Sequence, residues 1–362
     1  MEKVPHIEKL LEISVKKQAS DLHLVPDLPP ILRIHGVLIP LKEFDSFSDD
    51  ENKMLIYSLM TEEQIAAFEK NLVIEMAISL PKIGNFRVSV IHQLNGITAV
   101  FRVIPPKVPT FEEIGLPIHL QSLLLLQYGL VLVTGPTGSG KTTTLAAMIN
   151  YINRFRSCNI ITIEDPIEFV HTSKKSIISQ IQIGRDTPDF ATALRASLRQ
   201  DPNVILLGEL RDLETMRLAL VAAETGHLVL ATLHASSSPL AINRFVDVFP
   251  SEEKNRVRNL LAETLQGVIC QTLVKRIAGG RAAAFEIMLA TSAIRHFIRQ
   301  DMNAHMESTI QTSGDKGMCT LEFYLNEMVT KQIITTNTAR NALYSRQAIR
   351  DSAATTQNQR KF

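Results

Sequence analysis

Between residues 131 and 144 the chain reads VLVTGPTGSGKTTT. Gly135, Pro136, Thr137, Gly138, Ser139, Gly140, Lys141 and Thr142 fit the pattern G-x-x-x-x-G-K-S/T. An apolar, strand-like run enters the motif and a helix-like TTTLAAMINYI leaves it, which is the context such a loop requires. Glycines let the backbone bend until its N–H groups converge on phosphate oxygens. Lys141 supplies a cation near the β and γ phosphates, the Thr142 hydroxyl can bind Mg2+, and Thr143 follows in the same turn. The alternative, a glycine-rich turn that touches nothing, leaves the full eight-residue match unexplained.

Most of the 362 residues lie outside that loop, and this length points to two domains. Hydrophobic residues make up 45% and charged residues 21%, the balance of a globular protein rather than a disordered or membrane-spanning chain. With 38 basic and 37 acidic side chains the net charge is +1, so no overall field draws the chain to nucleic acid, and none is expected as a direct partner. Cys158, Cys270 and Cys319 are too scattered for a disulfide framework or a metal knuckle, which fits a reducing cytoplasm. The most apolar stretch, LQSLLLLQYGLVLVTG, is broken too soon to span a bilayer, and no targeting segment is read at the N-terminus.

Ile7, Leu10, Leu11 and Ser14 recur at helical spacing, and alternating runs such as PPILRIHGVLIPL and GNFRVSVIH predict strands, giving a small α/β domain over 1–103. The proline-rich IPPKVPTFEEIGLP, 104–117, reads as a hinge. Beyond it, LVLVT, NIITIE, NVILLGE and HLVLATLH alternate with helical patterns, which predicts a parallel sheet covered on both faces within a domain spanning 118–346. From Ser251 the pattern is mainly helical, interrupted by AAFEIML, and 347–362 reads as a flexible tail.

Hydrolysis of a bound triphosphate needs a carboxylate to hold Mg2+ through its water shell and a group to orient the attacking water. Glu209 closes the apolar run NVILLGE and Glu164 closes ITIE, at the strand ends where parallel sheets bind ligands. Glu209 takes the metal-water role and Glu164 the water-activating role; the alternative for each is a cap on the following turn. His227 and His234 flank one strand, roughly 23 Å apart at strand rise, and cannot share a metal. Taken alone, they read as structural histidines, Arg195 and Arg199 as a solvated helix face, and Arg87 and Arg102 as strand arginines facing solvent.

The order GPTGSGKTTT, ITIEDPIEF, RQDPNVILLGELRD, AETGHLVLATLH resembles the Walker A, Asp box, Walker B and His box of the bacterial secretion and type IV pilus ATPases. The similarity extends over about residues 5 to 345, through ASDLHL, FRVSVIHQLNGITAVFRVIP and NRFVDVFPSEEK. The absence of a four-cysteine clip and of a longer N-terminal region favours the subgroup that retracts pili in twitching motility. AIRHFIRQ, residues 293–300, is similar to that subgroup's signature but departs from it at His296, Phe297 and Gln300. Tyr128 stands where the family has Arg, which bears on the adenine side.

The resemblance implies a PAS-like N-terminal domain, a RecA-like ATPase domain with a helical C-terminal region, and a Mg2+-dependent ATPase working as a homohexamer. It implies that Arg87 and Arg102 reach bound ATP across a subunit boundary. His227 and His234 become sensors of the γ-phosphate or of a subunit contact. A cytoplasmic location at the inner membrane, a pilus platform protein and a paralogous co-motor follow as expected surroundings. Alternatives are an ATPase of secretion or DNA uptake, and a nucleotide-gated assembly subunit.

Overall fold

The computed structural model describes residues 5–34, 36–104 and 107–359, with side chains as far as 347. The chain divides into two compact units, one of residues 1–107 with 168–170, the other of residues 108–167 with 171–362. The first unit contains α1 (Ile7–Lys16), β1 (Asp21–Leu24), β2 (Ile31–Ile34), β3 (Val37–Pro40), α2 (Asp49–Tyr57), α3 (Glu62–Asn71), β4 (Val73–Leu80), β5 (Gly84–Gln93) and β6 (Gly96–Ile104). Its six strands form an antiparallel sheet in the order β3-β2-β1-β6-β5-β4. Ile7, Leu10, Leu11 and Ser14, one stripe of α1, are all buried, as their spacing predicts.

The second unit opens with α4 (Gln121–Leu124), β7 (Gly129–Thr134), α5 (Lys141–Phe155), β8 (Asn159–Glu164), β9 (Ile177–Gln182) and α6 (Phe190–Ser197). It continues with β10 (Val204–Leu207), α7 (Leu213–Glu224), β11 (Leu228–Leu233), α8 (Ser238–Asp247) and α9 (Lys254–Thr264). Then follow β12 (Leu265–Lys275), β13 (Arg281–Leu289), α10 (Ser292–Arg299), α11 (Asn303–Thr312), α12 (Leu321–Thr330) and α13 (Thr336–Gln359). Seven strands order as β13-β12-β7-β11-β10-β8-β9, parallel except for β13. Along β7, Leu130 and Leu132 enter one apolar core with α7, while Val131 and Val133 enter another with α5. Helices therefore cover both faces, and the strands read as continuous apolar runs because neither face meets water.

Two expectations change. LQGVICQTLVK, expected within a mainly helical region, is the eleven-residue strand β12, parallel to β7 and antiparallel to β13. Its middle residues are buried on both faces, so no period of two marks it as a strand. The stretch 104–117 is also not loose over its described second half: Phe111 and Leu116 are buried in the second unit's core, and Asn150 Nδ2 donates to the Pro109 carbonyl at 3.2 Å. Residues 105 and 106 lie outside the described residues, as do 360–362 of the expected tail, whose earlier residues continue α13 to Gln359.

Candidate functional site

The strands β7, β11, β10 and β8 run parallel and adjacent in that order, so their carboxyl ends form one edge. The phosphate loop leaves β7 there. Gly135 and Gly140 adopt φ of +146° and +87°, and Gly140 is the residue before α5, which has no side-chain cap. A fifteen-residue helix thus points its unsatisfied first-turn N–H groups at whatever the loop encloses, a ready anion site. Lys141, Thr142 and Thr143 occupy that first turn.

Lys141 Nζ donates to the carbonyls of Gly135 and Pro136, each at 3.0 Å, and lies 3.4 Å from His234 Nδ1. His234 Nε2 lies 3.1 Å from Glu209 Oε1, and Arg211 Nη2 reaches the other Glu209 oxygen at 2.7 Å. An ammonium has no lone pair, so His234 Nδ1 accepts and Nε2–H donates to Glu209, which defines a neutral tautomer. Burial and then the Lys141 charge depress the His234 pKa against the pull of Glu209, in agreement with that tautomer. Burial also lowers the Lys141 pKa, opposed by Glu209. Burial alone would raise the Glu209 carboxyl, but the hydrogen bond and charge of Arg211, with His234 and Lys141, hold it below its ordinary value.

Glu164 ends β8, 7% exposed. Its Oε1 accepts from Thr162 Oγ1 at 2.7 Å and from Gln180 Nε2 at 3.2 Å, which orients the carboxyl group at the strand end. A Cβ added at Gly208 would stand 3.3 Å from Glu164 Cα, so the turn bearing Glu209 rests against Glu164. Thr232 Oγ1 fixes that turn by donating to the Gly208 carbonyl at 2.5 Å. Thr142 and Glu209 offer hard oxygen donors, the chemistry Mg2+ requires, so the residues present fit that ion.

The remaining candidates make other contacts. His227 precedes β11 at its opposite end, where Nδ1 lies 3.0 Å from the Ala222 carbonyl in the last turn of α7; within one chain it does not join the phosphate loop. Arg87 and Arg102 belong to the first unit, as cross-strand partners on β5 and β6. Arg87 pairs with Glu75 at 2.8 Å, and Arg102 Nε with the buried carboxylate of Asp21 at 2.9 Å. Arg195 is not a bare solvated charge but pairs with Glu214 at 2.5 Å. Arg295 likewise is held by carbonyls at the end of α9, whereas Arg299 is exposed. Thr162, Gln180, Arg211 and the β12 residue Gln271 were not legible as site residues; of these, only Arg211, two residues beyond Glu209, carries a local signal.

The sequence profile of a family described as Type II/IV secretion system protein matches residues 2–362. The chain is similar to the Type IV pilus retractation ATPase PilT of Pseudomonas aeruginosa, 51% identical and covering 92% of this chain and 97% of that one. A Twitching motility protein of Neisseria gonorrhoeae is 44% identical, covering 92% of this chain and 89% of its own length. A crystal structure of the pilus retraction motor PilT with bound ADP superposes with a TM-score of 0.88 at 42% identity, covering 93% of this chain and 97% of that one.

Proposed function

Because the chain belongs to the type II/IV secretion system protein family, we propose that it is an ATP-hydrolysing motor that retracts type IV pili and so drives twitching motility. The observation that carries the reading is the unbroken chain from Lys141 through His234 to Glu209 along the edge where β8 ends in Glu164. Lys141 and the loop amides bind the β and γ phosphates, and Glu164, beside the turn of Glu209, orients the attacking water and takes its proton. Thr142 and, through water, Glu209 would hold Mg2+, which supplies charge neutralisation at the phosphate oxygens.

In this reading six copies form a ring. Arg87 and Arg102 of one copy reach the phosphate loop of the next, where a planar guanidinium spreads charge over the transferred phosphoryl. His227 serves a subunit contact. The ring works at the cytoplasmic face of the inner membrane against a platform protein, alone or with a paralogous co-motor. Among the described residues no helix is long and apolar enough to cross a membrane, so the attachment is peripheral in this scheme.

The test is steady-state ATP hydrolysis by the purified full chain. Lys141→Ala should abolish turnover while far-ultraviolet circular dichroism stays unchanged. Glu164→Gln keeps the shape of the side chain but not its basicity, and should bind ATP while turnover falls by at least about 10²-fold. Normal hydrolysis by Lys141→Ala would sink the reading.

A further inference from the structure

We propose that Gln271 is a positioning residue for the nucleotide: its side-chain amide clamps the phosphate loop to the first turn of α5, and the loop's grip on phosphates depends on that clamp. The proposal rests on the nucleotide reading above and goes beyond it, because Gln271 lies on β12, outside every motif that carries that reading.

Gln271 is 2% exposed. Its Nε2 donates to the Ser139 carbonyl at 2.7 Å, and its Oε1 accepts from Thr144 Oγ1 at 2.6 Å. The partners fix the orientation of the amide, since a carbonyl only accepts. Two loop glycines lean on the same residue. A Cβ at Gly135 would fall 2.3 Å from the main-chain carbonyl oxygen of Gln271, and one at Gly140 would fall 2.9 Å from the side-chain Nε2. The start of the loop thus lies against the backbone of β12, while its Ser139–Gly140 end meets the Gln271 side chain and is tied through it to the helix that follows.

A glycine-rich loop loses more backbone freedom on ordering than any other segment of its length, and that loss opposes binding unless something orders the loop beforehand. Gln271 does so. The Ser139–Gly140 peptide is planar and trans, so its C=O and N–H point in opposite directions. With the carbonyl held on Gln271, the Gly140 N–H is directed away from β12, toward the phosphate side of the loop. The bond to Thr144 then fixes that peptide relative to the first turn of α5, where Lys141 and Thr142 sit. Interactions made equally in the ground and transition states affect KM rather than kcat, so the clamp acts on affinity.

The experiment is calorimetric titration of ADP into the full chain, beside steady-state hydrolysis of ATP. Gln271→Met fills the same space without hydrogen bonds. It should weaken ADP binding about tenfold, as expected for two neutral hydrogen bonds, and raise KM by a similar factor with kcat within about twofold. Gln271→Glu provides a readout that packing alone would not move. The carboxylate can still accept from Thr144 but donates to the Ser139 carbonyl only when protonated, and burial raises its pKa. Its affinity deficit, measured against the unmodified chain at the same pH, should therefore shrink between about pH 8 and about pH 5.5. Unchanged ADP affinity in a folded Gln271→Met, or a deficit in Gln271→Glu that ignores pH, overturns the clamp. Should Gln271→Met fail to fold, the titration of Gln271→Glu decides alone. A failed clamp leaves ADP binding by the unmodified chain intact; if that chain binds no ADP, the nucleotide reading falls and the clamp with it.

Discussion

His234 faces Glu209 at 3.1 Å through Nε2 and faces Lys141 at 3.4 Å through Nδ1, so one neutral imidazole joins the phosphate-binding cation to the acid two strands away. Whatever shifts the Lys141 ammonium also shifts the hydrogen-bond demand on His234, and with it the charge distribution on Glu209. The imidazole is rigid, and few other side chains can accept at one end and donate at the other across that span.

That bridge predicts a split in kinetic constants. His234→Ala should lower kcat by roughly tenfold or more and change KM by no more than about threefold, because the phosphate contacts of the loop remain while Glu209 keeps Arg211 but loses the partner that orients its Oε1. Steady-state rates against ATP concentration check this. A raised KM with normal kcat would place His234 in binding alone.

The apolar strands were legible because parallel strands buried on both faces give runs such as NIITIE and LVLATL, and the loop was legible because phosphate binding demands fixed spacing. Glu164 and Glu209 were legible because each closes such a run. Gln271 was not: its partners Thr144 and Ser139 are 127 and 132 residues away, and only folding reveals the pairing. His227 and His234 belong to one motif, but the six-residue strand between them puts only His234 at the phosphate edge. β12 was hidden for another reason: Gln266, Gly267, Gln271 and Thr272 break its apolar run, so LQGVICQTLVK reads neither as a continuous apolar strand nor as an alternating one.

Acid should weaken the fold through His171. Burial, with the nearby Lys174 charge, lowers its pKa to about 4, whereas an unfolded histidine takes up its proton near 6.5. Between those values the unfolded state binds more protons, so stability is whole above about pH 6.5 and drains away as pH falls toward about 4. His171→Gln should reduce the loss seen between about pH 7 and about pH 5 by on the order of 1–2 kcal/mol. Urea unfolding at several pH values measures it, and identical slopes for both proteins would remove His171 as the cause.

The proposed action of arginines across a subunit boundary predicts complementation. Arg102→Ala and Lys141→Ala should each be inactive alone, yet recover activity when mixed under subunit exchange, because some interfaces then pair an intact arginine with an intact loop. Thermal unfolding must accompany the assay for Arg102→Ala. Its loss leaves Asp21, whose side chain is 7% exposed, with the Ser20 hydroxyl at 2.8 Å and Arg33 at 3.9 Å on Oδ2 and removes the Arg102 bond to Oδ1, a cost of about 1–2 kcal/mol. Arg87→Ala frees the exposed Glu75 and should cost at most about 1 kcal/mol. If mixing restores nothing for either arginine, the assignment across the boundary loses its support.

The last prediction separates a motor from a bare ATPase and concerns α10. Ile294 and Ile298 are buried, Phe297 packs against the same core, and Thr291 caps the helix, so the apolar stripe is structural. The two arginines of that helix differ. Arg295 Nη1 donates to the carbonyls of Ala262 and Glu263, and Nη2 lies 3.3 Å from Gln266 Oε1. It therefore closes the C-terminus of α9, where free carbonyls favour a cation. Arg299 lies on the exposed face with His296 and Gln300, far in sequence from the phosphate loop. Arg295→Ala should lower the melting temperature by several degrees, at roughly 2–4 °C for each kcal/mol lost. Arg299→Ala should keep the melting temperature and ATP turnover near those of the unmodified chain but stop pilus retraction in cells, leaving surplus surface pili and no twitching. The contrast distinguishes a coupling surface from a packed helix. Unchanged twitching with Arg299→Ala would remove the exposed face of α10 from force transmission, and lost turnover in that variant would show that the face belongs to the catalytic fold.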